Sequence, residues 1–199
     1  MQLASFTAIT ELRLNHKGGA FETGDGQEVS LRECWIVAAK YGRKRFDRDG
    51  SRWFLECSSQ DAATGTTSMG DRKKCGSRAE CGTCKPVLWL GVVGAGTHTP
   101  YLIEVNASAA KKISSQINRY ARAGYPPFLR RSSIRTALTE KSSNMTYTQV
   151  HVTMTGRETT DAELEMIKST RPQILAAMES KGAPMGAKKT PAPMPSLGM

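Results

Sequence analysis

The amino-acid sequence predicts a mainly β fold with helical additions, and three observations carry that prediction. Segments rich in β-branched and aromatic residues recur along the chain, bounded by Gly, Pro, Asn or Asp. One clear amphipathic helical pattern stands among them and helical spacing returns only near the C-terminal end, so strands and helices do not alternate as a parallel α/β sheet requires. Four of the five cysteines fall within the 28 residues from Cys57 to Cys84, between the β-like segments 53–57 and 87–93, where an insertion between two strands would lie.

Residues 1–32 open without a clear period. Phe6, Ile9, Leu12 and Leu14 fit strand or helix equally, and 16–27, with Gly18, Gly19, Gly24 and Gly26, reads as a loop. Segments 34–41 and 53–57 are β-rich, and the Asp49-Gly50 step between them favours a tight hairpin turn. Cys34 opens the first of these strands and reads as a core thiol. Segments 87–93 and 100–105 form a second hairpin about a short loop. The run from Gly91 to Gly96 imitates a dinucleotide loop, but a strand and not a helix follows it.

Asn106 starts a helix, capped by Asn106 or Ser108, with Ile113, Ile117, Tyr120 and Ala121 on one stripe and Gly124 at its end. Segment 134–141 reads as a weaker strand. Segment 146–154 alternates, with Thr148, Val150, Val152 and Met154 on one face and Tyr147, Gln149, His151 and Thr153 on the other. Thr160-Asp-Ala-Glu163 has the pattern of a helix start, and Pro172 breaks that helix or begins a second through Ser180. From 182 to 199, Gly, Pro, Met, Lys and Ala follow no period, which predicts a disordered tail. The expected organisation is one domain over 1–181, with the loop 57–84 inserted and a helical segment at 160–180. Five to seven strands with one central helix suit a strongly bent, OB-like barrel.

Cys81 and Cys84 form a Cys-x-x-Cys pair with Gly82 at the turn, which lets two thiolates face one ion. A tetrahedral all-cysteine zinc site takes two donors from each of two segments, and Cys57 with Cys75 supplies the other half across 17 intervening residues. Disulfides and singly buried thiols are the alternatives. Arg72, Lys73, Lys74 and Arg78 leave Cys75 little apolar cover, and the odd cysteine count with no uninterrupted h-region near the start points to a reducing interior, which favours structural zinc. His98, just past the strand that follows Cys84, reads first as an ordinary loop histidine and second as a substitute ligand. No apolar run approaches a membrane span.

The formal charge of +10 and pI near 9.6 predict a polyanionic partner, nucleic acid first. Binding single strands needs cations for phosphates and rings for bases, and the chain interleaves them. The expected contacts are Arg43, Lys44, Arg45, Phe46, Arg48 and Arg52 around the first hairpin, and Lys73 and Lys74 in the cysteine loop. Further along come Lys111, Lys112, Arg119 and Arg122 on the helix, then Tyr125, Arg130 and Arg131 beyond it. Trp35, Trp53 and Trp89 suit the core as well as stacking. No phosphate-binding loop, Gly-x-Ser-x-Gly, His-Glu-x-x-His or carboxylate cluster accompanies the cysteines, so the expectation is a binding protein and not an enzyme.

The order Cys57-Ser-Ser-Gln-Asp61, a basic Cys75, Cys81-x-x-Cys84, a strand, a Pro100-initiated strand, Asn106-Ala-Ser-Ala-Ala-Lys-Lys-Ile-Ser114, Ala121-Arg-Ala-Gly-Tyr-Pro126, Arg135-Thr-Ala-Leu-Thr-Glu-Lys141 and a Thr-Tyr strand resembles a group of bacteriophage proteins. These are zinc-loop, OB-like single-stranded-DNA-binding and recombination-associated proteins, often described only as hydrolase or metal-binding proteins, and similar to recombination directionality factors. The resemblance covers about residues 33–178. It implies Cys57, Cys75, Cys81 and Cys84 as zinc ligands, a helix near 108–123 as a barrel element, single-stranded DNA as ligand, and service in DNA replication or recombination in the cytoplasm of a bacterial host. It leaves oligomeric state open. The alternative is a zinc-dependent regulatory module that docks a recombinase or polymerase. The tail departs from the acidic tails of many replicative single-strand binders, since it carries Lys188 and Lys189 and no acid.

Overall fold

A computed structural model of the chain describes residues 9–15, 19–49, 51–59, 64–67, 72–75, 84–142 and 145–181. Among them lie eleven strands: β1 (Thr10–Asn15), β2 (Ala20–Glu22), β3 (Glu28–Val29), β4 (Leu31–Asp49), β5 (Arg52–Ser59), β6 (Thr64–Thr67), β7 (Arg72–Lys74), β8 (Lys85–Gly94), β9 (Pro100–Asn106), β10 (Arg130–Ser142) and β11 (Met145–Glu158). Helix α1 (Ala107–Arg122) follows β9, a 3-10 turn spans Pro127–Leu129, and α2 (Asp161–Ser180) follows β11. The mainly β expectation holds. The count exceeds the five to seven strands expected because β2, β3, β6 and β7 are short and lack the apolar alternation that marks a strand. Strand β2 lies inside the segment read as loop.

The sheet runs β3-β2-β1-β9-β8-β4-β5-β6-β7, with the β10–β11 hairpin attached to β4, and it curls into a half-barrel. Strand β10 approaches the start of β2 where the Thr136 hydroxyl donates to the Gly19 carbonyl. Both expected hairpins are present, β4–β5 and β8–β9. The weak 134–141 segment is part of a 13-residue strand, held by its long antiparallel ladder with β11 and not by its own hydrophobicity. On β11 the alternation holds: Thr148, Val150 and Val152 are buried while His151 and Thr153 are exposed.

Alternation along β4 and β8 produces two cores, one on each face of the sheet. Ile36, Leu88, Leu90 and Val92 pack with Ile113 and Ile117 of α1. Trp35, Val37, Val87 and Trp89 pack with Ile167, Ile174 and Met178 of α2. Burial on both faces explains why β4 and β8 read as near-continuous apolar runs. Trp35 and Trp89 are therefore core residues, and Trp53 is placed by its backbone only. Gly91 admits α2 closely, since a Cβ there would lie 2.0 Å from Ile174 Cγ2; this is the packing role of the glycine run that imitates a dinucleotide loop.

The capping box at α2 forms as expected, with Thr160 and Glu163 exchanging hydrogen bonds. Pro172, however, neither breaks nor starts a helix: α2 runs through it as one 20-residue helix, not several. A proline inside a helix costs about 3 kcal/mol, but burying Ile167, Ile174 and Met178 recovers about 1.5–3 kcal/mol for each side chain. Helix α1 ends as expected at Gly124, whose φ of +83° is a conformation that glycine adopts without strain. Among the described residues no helix is long and apolar enough to cross a membrane. The tail 182–199 lies outside the described residues.

Candidate nucleic-acid interface and cysteine cluster

The cations expected to meet nucleic acid fall into two groups with opposite surroundings. Four on the sheet, Lys44, Arg45, Arg130 and Arg131, face carboxylates. Lys44 Nζ stands 2.5 Å from Glu104 Oε2 and 5.5 Å over the Trp89 ring, and Trp89 Nε1 donates to the same carboxylate. Arg45 Nε lies 2.6 Å from Glu56 Oε2. Arg130 reaches Glu158 at 3.5 Å and covers the Tyr125 ring at 4.6 Å.

Arg131 is the extreme case. Its side chain is only 10% exposed and bridges Glu33 and Glu163, each at 2.6 Å, beneath the Trp35 ring. Burial pushes the Glu163 carboxyl up, but the Thr160 amide, the Arg131 guanidinium and the Thr160 hydroxyl outweigh it and hold the carboxyl below the usual range. Arg131 joins β10, β4 and α2 and presents no charge to a phosphate. The expectation that it contacts nucleic acid gives way to this structural role.

The cations of α1 are different. The helix has four, Lys111, Lys112, Arg119 and Arg122, and no acid; all four are exposed, and among the described residues none is paired with a carboxylate. The apolar stripe of Ala110, Ile113 and Ile117 turns inward, which leaves Lys111, Ser115, Asn118 and Arg122 along the outer face at helical spacing. Lys111, Arg119 and Arg122 line one open groove with Tyr41, Ser114 and Asn118. Lys112 borders a separate groove against Gln149 and His151 of β11. From Lys111 to Arg122 the helix rises about 16 Å. Sequence reading named the cations but not Ser114, Ser115 and Asn118, whose signal was their shared helical stripe.

Of the stacking candidates, Phe46 is 43% and Tyr125 49% exposed, enough for a base to reach either ring. Arg43 is half-buried on β4, and Arg48, Arg52, Lys73 and Lys74 are placed by their backbones only, in β4, β5 and β7.

The 17-residue gap between Cys57 and Cys75 is closed by the β5–β6–β7 meander. Gly65 of β6 lies between the two thiols: a Cβ on it would stand 2.6 Å from Cys57 Sγ and 2.9 Å from Cys75 Sγ. The two sulfurs are thus no farther apart than the sum of those distances, over a backbone with no side chain to separate them. Cys57 lies on β5 and Cys75 immediately follows β7, the strand two places away in the sheet. Both are free thiols, and converging sulfurs of this kind could share a metal ion. Cys84, half-buried, immediately precedes β8. Cys81 lies outside the described residues, and among those described no group of three or more His, Cys, Asp or Glu side chains gathers as a metal site.

Two other residues are removed from this cluster. Cys34 is fully buried in the core, its thiol raised by burial to about 12, and its Sγ donates to the Ser132 carbonyl. His98 follows the far end of β8, about 30 Å of strand from Cys84, so it does not substitute as a ligand. No protein-family model, curated protein or solved structure matches the chain.

Proposed function

We propose that this chain is a passive binding protein for single-stranded DNA, built on an OB-like barrel and serving phage replication or recombination. The observation that carries the reading is α1 itself, whose four exposed cations, three of them along one groove, stand with no acid on the helix and no carboxylate partner among the described residues. Such a face is a phosphate track, and exposed Phe46 and Tyr125 supply the rings on which unpaired bases stack. A duplex hides the faces of its bases and gains nothing from those rings. The test is a salt titration of binding to single-stranded and duplex oligonucleotides. The expected result is a salt-sensitive preference for single strands; equal affinity at moderate salt overturns it.

In the same reading Cys57, Cys75, Cys81 and Cys84 hold one structural zinc, and the convergence of Cys57 and Cys75 at Gly65 supports the choice. A bound zinc would tie the β5–β7 meander to the start of β8. Gly65→Ala places a methyl group between the two sulfurs, so metal analysis is expected to find zinc near one per chain in the parent protein and well below that in the variant. Equal zinc in both would remove Gly65 from the site.

A further inference from the structure

Strand β10 leaves β4 at Cys34, and β5 joins the same strand at Arg43. Over that interval no strand among the described residues borders this side of β4, which is bent by a bulge between Ile36 and Ala38. The Pro127–Leu129 turn and the C-terminal half of α1 close over the gap. They leave a cavity of about 340 Å³ lined by Ala38, Ala39, Leu88, Ile117, Ala121 and Phe128. Tyr41, Ser114 and Asn118 line both this cavity and the cationic groove, so a largely apolar slot adjoins the site of Lys111, Arg119 and Arg122.

The geometry points to a binding site for one nucleotide unit, with the base in the slot and its phosphate on the three cations. A nucleobase is flat and apolar on its faces but polar along its edge, and the slot pairs apolar walls with the Asn118 amide, the Ser114 hydroxyl and the Arg171 guanidinium. A bare anion could meet Arg171 but would leave the apolar walls of the slot uncovered. An alkyl chain would leave the amide and hydroxyl unused. This inference rests on the single-strand reading only for the source of the nucleotide; a free nucleotide offers the same chemistry.

The test titrates the full-length protein with AMP, with inorganic phosphate and with an oligodeoxyadenylate, reading backbone amide shifts and affinity. The variants are Ala121→Phe, Asn118→Ala and the double variant R119Q/R122Q. AMP is expected to bind at least about tenfold more tightly than phosphate, with shifts centred on Ala38, Ser114, Asn118 and Ala121. Ala121→Phe fills the slot and removes that advantage, while R119Q/R122Q weakens AMP and phosphate alike. Ala121 is exposed, so the larger ring is tolerated; Asn118→Ala, which adds no bulk, repeats the test with a severalfold loss for AMP alone. Equal binding of AMP and phosphate, or shifts elsewhere, overturns the pocket. If the oligonucleotide binds but neither Ala121→Phe nor Asn118→Ala affects it or AMP, the single-strand reading stands and the pocket falls. If AMP fills the slot while the oligonucleotide does not bind, the pocket stands and the single-strand reading falls.

Discussion

The cations of α1 and Lys44, Arg45 and Arg131 of the sheet are alike in residue type, and they differ in what faces them. Lys44, Arg45 and Arg131 each lie within 2.6 Å of a carboxylate, whereas Lys111, Lys112, Arg119 and Arg122 have none among the described residues. The first set fastens strands and a helix together. The second remains available to a polyanion. Charge density along a chain therefore identifies where cations are, while their free energy is set by neighbours that local sequence does not show.

Breaking the first set tests the comparison most severely. Arg131→Met leaves Glu163 largely buried beside an apolar side chain and is expected to cost about 3 kcal/mol of stability in urea unfolding. The salt dependence of binding should not change. Replacing Lys111, Arg119 and Arg122 together by Gln should do the reverse. Stability stays within about 0.5 kcal/mol, while the slope of log affinity against log salt falls by about 2, read from single-strand titrations. A stability loss in the helix variant, or a changed slope in Arg131→Met, would dissolve the distinction.

Two smaller effects sharpen it. Lys44→Met removes the partner of Glu104 and is expected to cost about 1 kcal/mol by the same unfolding measurement, because that pair is partly exposed. The last effect is a pH dependence. The Glu163 carboxyl is held below its ordinary value, so its contribution to stability is fully present above about 4.5 and is lost as the pH falls through the lower folded value. Melting temperatures from about pH 5 downward should fall less steeply in Glu163→Gln than in the parent protein, from a lower starting point.

Much of the fold was readable because it is written in short-range patterns. The two hairpins, the stop of α1 at Gly124, the faces of β11 and the capping box at Thr160 each depend on residues a few positions apart. Pro172 misled because its cost is local while the burial that overrides it, against the sheet, is not. The cysteines were readable as a cluster. Their convergence was not, since it depends on three strands folding back so that two thiols meet over Gly65.

By itself the sequence determined the class of the fold, the positions of most strands, and a strong positive charge interleaved with rings. Only the tertiary structure decided which cations remain exposed. Arg131 meets Glu33 across 98 positions and Lys44 meets Glu104 across 60, separations that no periodic pattern encodes. The face of α1 is distinguished for the same reason in reverse: folding turns its isoleucines onto the sheet and, among the described residues, brings no acid to its other side.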